Sequence, residues 1–185
     1  MGVCTPGGSV DLFQNIRLLY RFFGPQYNYV TESVEQKPDA IVDIKLTPAG
    51  RRMRHAPGQF LYISLDTDAV SEEPHPFSIS SPPDSPILRL SIKCLGDWTR
   101  SIHQIKPGER ARVFGPYGHF SDEFFDHPDL PAVLIGGGIG ITPMLSILHS
   151  QDLKLRKGPV QAISTRRVQA LRTPSRIFTG VAFII

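Results

Sequence analysis

Ala132-Val133-Leu134-Ile135-Gly136-Gly137-Gly138-Ile139-Gly140-Ile141-Thr142-Pro143 is the stretch on which the fold turns. An unbroken apolar run suits a strand buried on both faces of a parallel sheet. The glycines come next, and Thr142-Pro143 opens a helical pattern from Met144 to His149. A strand, a glycine turn and a helix with proline near its start form the first half of a nucleotide-binding βα unit. Glycines let backbone approach a pyrophosphate closely, and a helix N-terminus favours its negative charge. Gly136, Gly137, Gly138, Gly140 and Thr142 are therefore candidate binding residues.

Downstream of this unit, Pro159–Ser164 predicts a second parallel strand. Arg166 and Arg167 stand at its C-terminal end, where such sheets take ligands. Val181–Ile185 is one more apolar run. About 55 residues from Leu130 onward are roughly half of what a complete nucleotide-binding domain needs. Residues 129–185 therefore read as a partial, truncated Rossmann-like α/β domain.

Upstream the grammar is different. Six short candidate strands run from Tyr27 to about Phe114: Val30–Val34, Ala40–Leu46, Gln59–Leu65, Phe77–Ser80, Leu88–Cys94 and Arg110–Phe114. Turn signals such as Lys37-Pro38-Asp39, Ala56-Pro57-Gly58 and Lys106-Pro107-Gly108 separate them. That spacing predicts a closed antiparallel β-barrel over residues 26–128. A short helix over Arg100–Ile105 interrupts the strands, with Asp97 or Thr99 as its N-cap. Its exposed N–H groups make a natural phosphate site.

Within the barrel, His75-Pro76-Phe77-Ser78-Ile79-Ser80-Ser81-Pro82-Pro83 carries the chemistry. Two-residue alternation puts His75, Phe77 and Ile79 on one face and Ser78 and Ser80 on the other. A planar ring beside a hydroxyl offers a stacking surface and a hydrogen-bond partner to a flat, heteroatom-rich cofactor. The same alternation also fits a plain sheet strand with Phe77 in the core and the serines in water.

Composition sets the outer bounds. The 185 residues are 41% hydrophobic and 20% charged, as in ordinary globular proteins, with a net charge of +3. The basic residues do not form one block, so nucleic-acid binding has little support. Two clusters remain, Arg51-Arg52 with Arg54, and Arg166-Arg167 with Arg172 and Arg176, suited to solvent, a membrane surface or a phosphate-bearing ligand. Cys4 and Cys94 lie far apart with no metal-ligand spacing, which fits a reducing compartment. No apolar run reaches the ~18 residues that cross a bilayer, and there is no signal peptide. The chain reads as cytoplasmic, with residues 1–25 as a loose tail and an amphipathic helix over Leu12–Phe23. That helix either packs on the barrel or joins a membrane-bound module.

Five stretches in order resemble the ferredoxin–NADP reductase type of flavoprotein: Pro57-Gly58-Gln59-Phe60, His75-Pro76-Phe77-Ser78, Gly96-Asp97-Trp98-Thr99, Gly115-Pro116-Tyr117-Gly118 and Gly136–Pro143. The His-Pro-Phe-Ser and Gly-Asp-Trp-Thr forms resemble most the dehydrogenase region of ferric reductases and NADPH oxidases. The resemblance implies an FAD-dependent oxidoreductase passing electrons from NADPH or NADH through FAD to haem, ferric iron or oxygen. It implies that Pro57-Gly58-Gln59-Phe60 shapes the neighbouring barrel strand, that His75 meets the phosphate or ribityl side, that Phe77 stacks on the isoalloxazine and that Ser78 hydrogen-bonds near its N5, with Phe60 and Pro76 also among the cofactor-binding residues. Trp98 and Thr99 would hold the FAD pyrophosphate, and Gly136–Gly140 with Thr142 the pyrophosphate of NAD(P)H. Arg166 or Arg167 would meet a 2′-phosphate. A membrane haem module is the implied partner, and the cytoplasmic face of a membrane the implied place. A soluble flavin reductase, an electron-transfer subunit and a truncated FAD-binding relic are the alternatives.

Overall fold

In the computed structural model the described residues are 24–165 and 182–184. The expected helix over Leu12–Phe23, Cys4, and Arg166, Arg167, Arg172 and Arg176 lie outside them. Six strands form one antiparallel sheet: β1 (Gln26–Lys37), β2 (Ile41–Pro48), β3 (Phe60–Asp66), β4 (His75–Ser78), β5 (Leu88–Lys93) and β6 (Arg110–Tyr117). Their order across the sheet is β4-β3-β6-β1-β2-β5. The expected strands are all present, and β1 and β6 run longer than their apolar runs suggested. β1 reaches further because its first half pairs with β6 and its second half with β2, with a register shift between Thr31 and Ser33.

Alternation drives this sheet. Val42, Ile44 and Leu46 of β2, Leu61, Ile63 and Leu65 of β3, and Leu88, Leu90 and Ile92 of β5 all turn to one buried core. The two edges of the sheet are then stitched together. Ile79, just past β4, bridges to Leu90 of β5. The Ser80 N–H donates to the Arg89 carbonyl at 2.9 Å, and the Ser80 hydroxyl donates to the same oxygen at 2.8 Å. The order therefore comes round on itself, as a barrel requires. This also corrects two expectations. The ladder of β4 covers His75–Ser78 and not Phe77–Ser80, and Ser80 is buried at 1% exposure and does not face water.

On the outer face of β2 and β5, Asp43 is 5% exposed but fully partnered. Its carboxylate accepts from Arg89 Nη2 at 2.9 Å and from the Ser91 hydroxyl at 2.6 Å. A buried charge persists only with such partners.

The helix near Trp98 also differs from expectation. α1 spans Asp97–Ser101 and continues as a 3-10 turn over Ile102–Gln104. Its N-cap is Gly96, not Asp97 or Thr99. Thr99 sits one turn in, where its hydroxyl oxygen accepts from the Leu95 and Gly96 N–H groups at 2.9 and 3.0 Å. That side-chain oxygen closes the turn, so the cap moves back to the glycine.

After β6 come α2 (Asp122–Asp126), β7 (Ala132–Gly137), a 3-10 turn (Gly138–Ile141), α3 (Thr142–Leu148) and β8 (Val160–Thr165). β8-β7-β9 form a parallel sheet, with β9 (Ala182–Ile184) on the other side of β7. A second core gathers Phe124, Ala132, Leu134, Met144 and Ile147. β7 alternates, with Ala132, Leu134 and Gly136 buried and Val133 and Ile135 half-buried. The apolar run was expected to be covered on both faces. Here α3 packs on the face that carries Ala132 and Leu134. The candidate site lies where this second unit meets the first sheet.

Candidate flavin groove and glycine turn

Phe77 is placed by the edge strand β4, which pairs with β3 through Phe60↔Ser78 and Leu61↔Phe77. This register aligns Ser78 with Phe60 on a common rim. A groove of about 250 Å³ opens there, lined by Gly58, Phe60, Pro76, Phe77, Ser78, Phe120 and Pro143. Its surface is mainly aromatic and aliphatic, with the Ser78 hydroxyl as a polar group. Among the described residues that hydroxyl has no hydrogen-bond partner assigned to it.

Two glycines make the groove possible. Gly58 has φ +79°, and a Cβ there would come within 3.0 Å of Phe120 Cδ1. Gly118 has φ +97°, and its Cβ would crowd the Phe60 ring at 3.1 Å. Gln59 ties the two loops: its Oε1 accepts from the Ala56 N–H at 2.8 Å, and its Nε2 donates to the Gly118 carbonyl at 3.0 Å. Phe60 is further propped by Tyr62 and Tyr117, with ring centroids at 6.0 and 5.7 Å.

On the other side of β4, Trp98 of α1 lies against both His75 and Phe77. The His75–Trp98 centroids are 4.2 Å apart, and the Phe77–Trp98 rings stack at 5.7 Å with 24° between planes. The Trp98 indole N–H donates to the Ser71 carbonyl at 3.0 Å, which fixes the ring. In the fold Trp98 also buttresses β4, and the Thr99 hydroxyl bonds within its own turn at the start of α1. Burial pushes the His75 imidazole below its ordinary value, against a smaller opposing pull from Glu73. His75 thus enters as a neutral ring whose buried Nε2 has no partner among the described residues. Such a ring offers a neutral donor or acceptor.

The glycine turn stands at the C-terminal end of β7. Gly136 is demanded by space: a Cβ would lie 3.0 Å from Ile141 Cα and 3.1 Å from Met144 Sδ. Gly138 is demanded by conformation, with φ +54°, and open space lies beside it. Gly137 is extended at φ −104° and carries no such demand. Gly140 lies in the 3-10 turn, half-exposed. The Thr142 hydroxyl donates to the Ile139 carbonyl at 2.5 Å, so it shapes the turn from within. Pro143, next in the chain, lines the aromatic groove, so turn and groove are contiguous. Gly137 pairs in register with Thr165, which brings the end of β8 beside the turn.

Sequence reasoning missed Phe120 and Pro143 as groove walls, and the joint formed by Ser81. The Ser81 carbonyl accepts from the Ser146 hydroxyl of α3 at 2.7 Å and from His55 Nε2 at 3.3 Å. It thereby ties the first sheet to the second unit. Burial lowers the His55 pKa, with Arg52 adding to the effect, so the imidazole is neutral. The remaining histidines, His103, His119, His127 and His149, are exposed. Cys94 is half-buried beside the first core, just past β5.

The groove fits a flat heteroaromatic group with a ring wall and a free hydroxyl, and the glycine turn adjoins it through Pro143; the orphaned His75 Nε2 lies outside its lining. Comparison with known proteins agrees. A family model described as an FAD-binding domain matches residues 26–140. NADPH oxidase 1 of Mus musculus is 32% identical over 144 residues, which is 75% of this chain and 24% of that protein. The mitochondrial ferric reduction oxidase 8 of Arabidopsis thaliana is 40% identical over 122 residues, 59% of this chain and 16% of that protein. The chain thus spans a quarter or less of these relatives. In fold it resembles a ferredoxin NADP+ reductase from Neisseria gonorrhoeae with bound FAD and NADP, with a TM-score of 0.64, 19% identity, and coverage of 75% of this chain and 56% of that one. The family match takes in the first sheet, α1, α2, β7 and the glycine turn, and on that span the chain belongs to the FAD-binding domain family related to NADPH oxidases and ferric reductases.

Proposed function

We propose that this chain is the flavin-holding part of an oxidoreductase that takes electrons from NADPH or NADH and delivers them to haem, ferric iron or oxygen. The observation that carries this reading is the shared wall of the two half-sites: Phe77 and Ser78 of the first sheet and Pro143 of α3 line one groove. FAD, when bound, supplies the exchange between two-electron and one-electron chemistry. The chain's residues supply placement. Phe60 and Phe77 give a flat apolar seat, and Ser78 directs its hydroxyl toward a ring nitrogen. His75 offers its unpartnered Nε2 to the ribityl or phosphate side, while Pro76 forms part of the groove wall. Trp98 stiffens His75 and Phe77 from behind, and Thr99 holds the start of α1 toward a phosphate.

For the nucleotide, Gly136, Gly137, Gly138 and Gly140 give close backbone approach, and Thr142 fixes the turn. Arg166 and Arg167 follow β8 directly in sequence, at the end of the strand paired with β7, and a 2′-phosphate there selects NADPH over NADH. Residues 26–128 form the flavin-holding part and 129–185 the nucleotide part, and Phe120, Phe124 and Phe125 from the end of the first pack with the core of the second. Among the described residues no helix is long and apolar enough to cross a membrane. A membrane haem module would be a separate segment or chain, with this part at the cytoplasmic face.

The test is anaerobic addition of NADPH, and separately NADH, to the FAD-loaded chain. Bleaching of the flavin absorbance, faster with NADPH, is the expected result. A bound flavin that neither nucleotide bleaches would count against the glycine turn as the nucleotide site.

A further inference from the structure

Three arginines at the start of the β2–β3 loop stand apart from the flavin groove. Arg51, Arg52 and Arg54 line a second groove of about 520 Å³ with Tyr27 of β1, and the two grooves share no lining residue. All three side chains are exposed.

Two of them are held in place by neutral partners. Arg51 lies over the Tyr27 ring at 5.3 Å and donates from Nη2 to the Tyr27 hydroxyl at 3.3 Å. Arg52 donates from Nη1 to the Ser85 carbonyl at 3.1 Å and from Nη2 to the Pro83 carbonyl at 3.5 Å. A guanidinium has five N–H donors, so each keeps most of them for another acceptor.

Their charge is not neutralised. Among the described residues none of the three has a carboxylate within 4.0 Å, whereas Arg89, Arg100 and Arg112 pair with Asp43, Asp97 and Glu72. Asp84, next to the Ser85 carbonyl that holds Arg52, is exposed and makes no such pair. The positive field reaches inward as well, since Arg52 opposes the raising of the Tyr29 pKa and helps to lower that of His55. Guanidinium groups fixed by neutral acceptors, without counter-charge, are arranged for an oxyanion from outside.

We infer that the Tyr27–Arg51–Arg52–Arg54 groove binds a phosphate-bearing anion. Phosphate groups suit it better than single carboxylates, because they bring about two charges and three acceptor oxygens to several forks at once. The source is either a soluble phosphate compound or the headgroups of an anionic lipid surface. This inference is independent of the flavin reading.

The probes are inorganic pyrophosphate and vesicles of phosphatidylserine with phosphatidylcholine, set against pure phosphatidylcholine vesicles. The full chain is used with saturating FAD, so that any flavin phosphate site is filled, and its circular dichroism is recorded. The partner variant is Arg51→Gln/Arg52→Gln/Arg54→Gln, with the single Arg54→Gln as a milder change. Parent binding to pyrophosphate, to anionic vesicles or to both should fall at least tenfold in the triple variant, with the spectrum and flavin retention of the parent kept. Loss with pyrophosphate alone identifies a soluble ligand, and loss with vesicles identifies a lipid surface. If the parent binds neither probe, or the triple variant binds both as well as the parent, the inference is wrong.

Discussion

Leu90→Ala should cost about 2–5 kcal/mol of folding stability, the range for truncating a fully buried leucine. Leu90 has 0% exposure, faces Ile44 across β5–β2, and bridges to Ile79 beyond β4. Two losses therefore coincide. Apolar contacts vanish from the core, and the joint between the two sheet edges loosens. Because Ile79 follows Ser78 directly, β4 should also lose its fixed position, and flavin retention should weaken with stability. Urea unfolding monitored by circular dichroism gives the first quantity, and flavin fluorescence the second. A loss below about 1 kcal/mol would mean that the edges are not held through this contact.

Phe77→Ala should weaken FAD retention by about 1–3 kcal/mol, the scale of a lost aromatic seat. That corresponds to roughly 5- to 150-fold in Kd. Phe77 is half-buried, backed by Trp98, and lines the groove beside Ser78. Phe77→Tyr keeps the ring and should stay close to the parent. Fluorescence titration of FAD compares the three proteins, and equal affinity for alanine and phenylalanine would remove Phe77 from the site.

The fold was legible where side chains alternate and turns are punctuated by proline and glycine. β2, β3 and β5 follow from Val42-Ile44-Leu46, Leu61-Ile63-Leu65 and Leu88-Leu90-Ile92 because each alternation has one buried outcome. The glycine turn was legible for a similar reason: Gly136 and Gly138 occupy positions that another residue would clash with or strain. What stayed hidden depends on partners distant in sequence. Nothing local to Trp98 says that its ring crosses to His75 and Phe77, since that requires the placement of α1 beside β4. Likewise Ser80 looks like a water-facing strand residue until β5 arrives to take its hydroxyl. Local roles of hydroxyls are equally hidden: Thr99 and Thr142 sit where a ligand contact is expected, and each hydroxyl also donates within its own turn. Phe120 and Pro143 became groove walls only through the docking of the second unit on the first.

The most direct test of a flavin groove on this chain is retention of FAD. The purified chain is mixed with excess FAD, passed through gel filtration, and its visible absorbance read in the protein peak. A flavin band that travels with the protein, near one FAD per chain, is the predicted result. A folded but colourless protein peak, with all flavin eluting free, would contradict it.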